Sequence, residues 1–102
     1  MNGQPRLPIP HAELAAFCRR SRIRRLSLFG SVLREDFGPT SDVDVLVEFE
    51  LGARVGLIRL AALELELGAL MGRQVDLNTP GFLSRHFRDR VIAEALVEYE
   101  AA

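Results

Sequence analysis

The strongest constraint on this fold is a stretch of strict alternation, DVDVLVEF, at residues 42–49. Its odd-numbered residues are all apolar and would face a core, whereas Asp42 and Asp44 would project from the opposite face of the same β-strand. This is the clearest strand pattern in the chain. It predicts a sheet in which one face is buried and the other carries carboxylates.

The rest of the chain alternates between helical and strand patterns. Helices are predicted near 10–21, 31–37, 55–71 and 82–99, and strands at 24–29, 42–49 and 73–78. A break of the last helix near Phe87–Arg88 is left open. The run at 55–71 contains LELEL, which alternates with period two, but its Leu, Ala and Glu content favours a helix. We therefore expect an α/β (α+β) fold with a small mixed sheet of three or four strands and helices packed on one face.

Composition narrows the class of protein. A chain of 102 residues is expected to be one domain over 1–102, with residues 1–8 disordered. The net charge of −1 gives no general argument for a nucleic-acid or membrane partner. The single cysteine, Cys18, excludes an internal disulfide, is expected to be a core contact, and favours a cytoplasmic location. All thirteen basic residues are arginine, so a Walker-A or Schiff-base lysine is excluded.

Three carboxylates are candidates for chemistry. Asp42 and Asp44 are two residues apart on a strand, which places their Cα atoms about 7 Å apart on one face. Asp76 lies between Val75 and Leu77, and it falls on the same face if its strand pairs with the 42–49 strand. Oxygen ligands of this kind suit Mg²⁺ or Mn²⁺. A solvated polar face for the first two, and an exposed strand-edge aspartate for the third, are the simpler alternatives.

A possible phosphate site lies between the first strand and the segment that follows it. Gly30 permits close approach of a ligand to the backbone, and Ser31 adds a hydroxyl next to free backbone N–H groups. A tight turn with no ligand is the alternative. The spacing does not match a P-loop, which also needs a lysine.

The combination and spacing of these residues resemble the motifs of a known protein family. Gly30-Ser31, ten residues, Asp42-x-Asp44 and a third apolar-flanked aspartate are similar to the motifs of the nucleotidyltransferase superfamily. The short chain, Arg34, the Ser41-Asp42 junction and GRQVDLNTP at 72–80 resemble the minimal nucleotidyltransferase (MNT) domain in particular. The resemblance covers residues 23–98.

The resemblance implies a role for each matching residue. Asp42 and Asp44 would bind two Mg²⁺ or Mn²⁺ ions, and Asp76 would bind one of them and orient or deprotonate the attacking hydroxyl. Gly30 and Ser31 would hold the β- and γ-phosphates of ATP. Arg34 would add positive charge there, or would form an ion pair with Glu35 or Asp36, which replace a more usual glycine-containing stretch.

The resemblance also implies a partner. MNT proteins of this size resemble the antitoxins of HEPN–MNT pairs, in which the MNT protein adenylylates a tyrosine of the HEPN ribonuclease toxin. The expected assembly is a hetero-oligomer with the toxin, and the absence of a second domain here fits a protein acceptor. A small-molecule acceptor, such as an aminoglycoside, and a partner-neutralising protein without catalysis are the alternatives.

One cluster of charge has no clear place in that chemistry. Five arginines occur within seven positions, at Arg19, Arg20, Arg22, Arg24 and Arg25. A solvated connection after the first helix is the simpler explanation of this run. A surface for an acidic or phosphate-bearing partner is the alternative.

Overall fold

The computed structural model of the chain describes residues 8–34 and 37–101 and shows a four-stranded mixed sheet. Its strands are β1 (Ile23–Phe29), β2 (Val43–Phe49), β3 (Val75–Asn78) and β4 (Leu96–Glu100). They lie in the order β3-β2-β1-β4, and only the pairing of β3 with β2 is parallel. The predicted fold class is confirmed, with the larger of the two predicted strand numbers.

The helices are α1 (His11–Arg20), α2 (Leu57–Met71) and α3 (Arg88–Glu94). Buried side chains of α1 and α2 form one core with the valines of β2, as the alternation at 42–49 predicted. The alternating LELEL run is helical, because Leu63 and Leu67 lie one turn apart and both are buried. Cys18 is fully buried in the same core, as expected.

The helical prediction over 82–99 is wrong for its last part, where residues 96–100 form a strand, although a helix does begin at Arg88, next to the break left open near Phe87–Arg88. A single 3₁₀ turn (Pro80–Phe82) precedes α3, and α3 ends where Ala95 adopts an extended conformation with ψ of 142°. The chain then forms β4, which pairs antiparallel with β1. An ion pair between Arg25 and Glu100, at 2.8 Å, joins the two strands across the sheet. β4 forms because it pairs with β1, which lies some 70 residues earlier in the chain. The residues of β4 alone therefore carry no pattern that predicts a strand over a helix.

The short helix predicted over 31–37 is also wrong in extent. A 3₁₀ turn covers Gly30–Leu33, and Arg34 is already extended with φ of −112° and ψ of 161°. Glu35 and Asp36 lie outside the described residues, as does their expected ion pair with Arg34. Residues 1–7 and Ala102 are outside them too, so the expectation of disorder over 1–8 stays a prediction.

Within the described residues, no helix is long and apolar enough to cross a membrane.

Candidate active site

Three strands place a row of side chains across the sheet, on the face opposite the valine core. Asp44 of β2 pairs with Phe29 of β1 on one side and with Asp76 of β3 on the other. Residues at paired positions of neighbouring strands project from the same face. Asp44 and Asp76 are therefore direct neighbours, and Asp42, one residue before β2, belongs to the same face. The parallel pairing of β2 with β3 creates this arrangement.

The electrostatics of Asp44 reflect this crowding. Burial raises the pKa of Asp44, and the neighbouring carboxylates of Asp76 and Asp42 raise it further, while the charge of Arg34 opposes them. Asp44 is half-buried, whereas Asp42 and Asp76 are exposed. Such a cluster costs stability when all three carboxylates are charged, which is the usual sign of a site built for a cation or a proton.

The turn after β1 lies directly against this cluster. Gly30 has a φ of +74°, and a Cβ atom there would overlap Oδ2 of Asp44 and lie 3.2 Å from its Cγ. Only glycine combines that backbone conformation with that contact. The hydroxyl of Ser31 donates to the carbonyl oxygen of Asp42 across 3.4 Å. The two sequence motifs, Gly-Ser and Asp-x-Asp, thus form one continuous site.

The donor chemistry of this site suits a hard divalent cation, but its carboxylates are not gathered around one point. In the described parts of the chain, no three His, Cys, Asp or Glu side chains stand close enough together to hold a metal ion. Asp44 and Asp76 are adjacent and repel each other, and their carboxylate oxygens are of the kind that a divalent cation binds. Asp42 is exposed one residue before β2 and is close enough to raise the pKa of Asp44, so it is the candidate for a third oxygen ligand. The residues present therefore fit an oxygen-bound cation.

Two residues that could not be identified from the sequence, Arg73 and Glu64, bind the backbone segments next to Asp42 and Asp76. Arg73 donates through Nη2 to the carbonyls of Gly38 and Ser41, at 2.6 and 2.7 Å, and its guanidinium lies 4.4 Å from the ring centroid of Phe37. Arg73 therefore fixes the loop that leads into Asp42. A glycine, a proline and an adjoining serine mark that loop as a turn, but nothing local indicates which arginine binds it.

Glu64 plays the corresponding part for β3. Its carboxylate accepts the backbone N–H of Leu77 at 2.7 Å, next to Asp76. This bond links α2 to β3, which is an edge strand of the sheet. It gives the backbone N–H of Leu77 an acceptor on the side where no further strand pairs with β3. In the sequence, Glu64 is one of two glutamates in an amphipathic helix, and nothing local distinguishes it from Glu66.

Four of the five arginines in the run at 19–25 form ion pairs with carboxylates of this chain. Arg20 pairs with Glu66, Arg22 with Glu50 at 3.4 Å, and Arg24 with Glu48 at 2.8 Å. Arg25 bridges Glu48 and Glu100 between neighbouring strands. These pairs favour the simpler explanation, in which the run is a solvated, self-neutralised surface.

Comparison with known proteins identifies the family. The model of the nucleotidyltransferase domain family matches residues 13–99. A Methanocaldococcus jannaschii protein assigned as a protein adenylyltransferase is 38% identical over 74 residues, which are 72% of this chain and 77% of that protein. The protein adenylyltransferase MntA of Thermococcus cleftensis is 35% identical over 77 residues, which are 76% of each.

A solved structure shares the fold. The crystal structure of a toxin–antitoxin with AMP-PNP superposes with a TM-score of 0.73 at 18% identity, over 91% of this chain and 75% of that one. The family match covers the Gly-Ser turn and all three aspartates. On these grounds the chain belongs to the nucleotidyltransferase family.

Proposed function

We propose that this chain transfers AMP from ATP to a tyrosine hydroxyl of a cognate HEPN ribonuclease toxin, and so acts as the antitoxin of that pair. The observation that carries the proposal is the site itself, where Asp44 and Asp76 are neighbours and the Gly30 backbone lies against Asp44. The relatives named as protein adenylyltransferases support a protein acceptor. The toxin–antitoxin of similar fold, with AMP-PNP, supports both the partner and the nucleotide.

The phosphates would lie at the turn after β1. Backbone N–H groups at Gly30 and the hydroxyl of Ser31 would hold the β- and γ-phosphates, since the missing side chain of Gly30 lets the ligand approach the backbone closely. Arg34 is exposed and close enough to affect the pKa of Asp44, so its charge reaches the same region. We assign it to the phosphates as a third contact.

Asp42, Asp44 and Asp76 would hold the metal ions. Asp42 and Asp44 would bind two Mg²⁺ or Mn²⁺ ions and Asp76 would bind one of them, in keeping with their all-oxygen chemistry. Bound there, the ions would neutralise negative charge on the attacking and leaving oxygens of the displacement.

Asp76 would also serve the acceptor. It would orient the incoming tyrosine hydroxyl and accept its proton as the oxygen attacks the α-phosphorus. The new bond joins the tyrosine oxygen to the α-phosphorus, the bond from the α-phosphorus to the oxygen bridging to the β-phosphate breaks, and pyrophosphate leaves. Because Asp76 is exposed on an edge strand, a protein surface can reach it.

The surface of the chain supports a macromolecular partner. Leu51, Ile58 and Leu65 are 97%, 90% and 77% exposed. Ile58 and Leu65 lie seven residues apart on α2, which places them on one face of that helix, and an exposed apolar face of this kind is typical of a protein-binding surface. We propose a hetero-oligomer with the toxin in the cytoplasm, and co-expression followed by size-exclusion chromatography should give one joint peak across a range of salt.

The modification is tested by the intact mass of the partner toxin after co-expression. With the wild-type chain, the toxin should gain the mass of one or more AMP groups, and fragmentation should place them on tyrosine. With Asp76→Asn the gain should disappear, while Asp89→Asn, the same change on α3 outside the site, should leave it intact. An unmodified toxin in a stable complex would instead indicate neutralisation by binding alone.

A further inference from the structure

An open cleft of about 710 Å³ lies beside the candidate active site and shares Gly30 with it. One wall is the turn after β1, including Gly30 and Arg34, and the other runs along α3 from Phe87, just before the helix, to Glu94 at its end. Its volume is in the range of pockets that bind small molecules. Of the phosphate-binding residues proposed above, Gly30 and Arg34 line the first wall, and none lines the second.

The two walls differ in charge, and the difference decides which part of a nucleotide each can take. The wall with Gly30 offers backbone N–H groups and the charge of Arg34, which suit phosphate. On the α3 wall, Arg90 pairs with Glu94 at 3.5 Å, so the positive charge is offset and a carboxylate would face any phosphate placed there. The α3 wall therefore suits an uncharged group.

The α3 wall also presents an aromatic ring. Phe87 lines the cleft and is 48% exposed, so part of its side chain is accessible to a ligand there. Its backbone is fixed, because its N–H donates to the carbonyl of Ser84 at 3.1 Å and its carbonyl accepts the N–H of Val91 at 3.0 Å. Arg90 and Glu94 follow at spacings of three and seven, on the same face of the helix.

We propose that this cleft holds the nucleoside end of ATP and that the base stacks on the ring of Phe87. This inference rests on the proposed function, since the phosphates at Gly30 fix where the nucleoside begins. An open aromatic ring stacks on any base, and such a contact contributes substantially to nucleotide binding. Phe87 is then a binding residue for ATP that none of the three motifs includes.

The test measures the binding of two ligands, ATP and inorganic tripolyphosphate, by calorimetry. Mg²⁺ is present in both titrations. Tripolyphosphate has the phosphates but no base. Phe87→Leu keeps an apolar side chain but loses the ring, and it should weaken ATP binding about tenfold while leaving tripolyphosphate binding unchanged. Phe87→Tyr should bind ATP like the wild type. Thermal melting of each variant would confirm that it is folded.

Phe82→Leu is the matched control, because Phe82 is 58% exposed but is not among the residues that line the cleft. It should bind both ligands like the wild type. The inference is overturned if Phe87→Leu binds ATP normally, if it loses both ligands equally, or if Phe82→Leu loses as much. A wild-type chain that binds neither ligand would overturn the proposed function, and the inference with it.

Discussion

The backbone of Gly30 lies against the carboxylate of Asp44 so closely that no side chain fits between them. This contact joins the turn after β1 to the central strand and makes the proposed phosphate and metal groups one site. It depends on two properties of Gly30, a positive φ and a missing Cβ, and comparison with Gly72, which shares only the positive φ without a close neighbour, separates their effects.

Gly30→Ala should abolish nucleotide transfer and destabilise the fold by about 2 kcal/mol, because it adds both backbone strain and an overlap with Asp44. Gly72→Ala is the matched control, since Gly72 has a similar φ of +69° but nothing within 4 Å of the added Cβ. It should cost about 1 kcal/mol and keep transfer. Urea unfolding and a transfer assay measure both effects. Equal loss of transfer in the two variants would contradict a role for the Asp44 contact.

Asp44→Asn should raise, or at least not lower, the melting temperature of the metal-free protein at neutral pH. Because burial and the carboxylates of Asp76 and Asp42 raise the pKa of Asp44, the folded state holds its proton longer than the unfolded state. The contribution of Asp44 to the free energy of unfolding is therefore lost as the pH rises. The loss begins near the pKa of an aspartate in the unfolded chain, about 3.9, and continues through the higher pKa of Asp44 in the folded state.

The measurement is thermal melting in EDTA between pH 3 and 7. The wild type should lose stability relative to Asp44→Asn as the pH rises, and the two should converge at the acid end, where both side chains are neutral. If Asp44→Asn instead unfolds more readily by more than about 2 kcal/mol at pH 7, Asp44 is a structural residue.

Much of this site could be predicted from the sequence, because it depends on local alternation and one pairing. The period-two pattern places Asp42 and Asp44 on one face, and parallel pairing of the next strand brings in Asp76. Leu46 shows the limit of the same pattern: it lies on the polar face, paired with Ser27, yet both side chains are buried. The alternation predicts the face of the sheet on which a residue lies, but it does not predict whether another part of the chain covers that face.

The parts that could not be predicted depend on contacts between distant segments. β4 is a strand because it pairs with β1, and its own residues fitted a helical period equally well. The bonds from Arg73 to the loop before Asp42 span more than thirty residues, and Phe87 meets Gly30 only across a cleft. None of these relationships leaves a periodic signal in one stretch of chain.

Arg73→Ala should destabilise the protein by about 1–3 kcal/mol, because the carbonyls of Gly38 and Ser41 lose a charged donor and Phe37 loses its cation. Transfer should fall as well, since the loop that leads into Asp42 is released. Arg59→Ala, an exposed change on α2, is the control and should be near neutral. Urea unfolding decides the matter, and equal midpoints for the two variants would refute the assigned role of Arg73.

Cys18 should be inert in the folded protein. Burial raises the pKa of its thiol to about 12, and the charge of Arg19 only partly opposes this. The reactive thiolate is therefore scarce at pH 8, and the reagent has no access to it. A chromogenic disulfide reagent should label Cys18 only after denaturant is added. Rapid labelling of the native protein at one thiol per chain would contradict its place in the core.

The central claim, that the chain transfers AMP, is tested most directly by two parallel reactions with labelled ATP. The chain, Mg²⁺ and the unmodified partner toxin are incubated with ATP labelled at the α-phosphate in one reaction and at the γ-phosphate in the other. The account predicts label on the toxin from the α-phosphate alone, release of pyrophosphate, and loss of both with EDTA. Label arriving from the γ-phosphate, or no label on the toxin in either reaction, would contradict it.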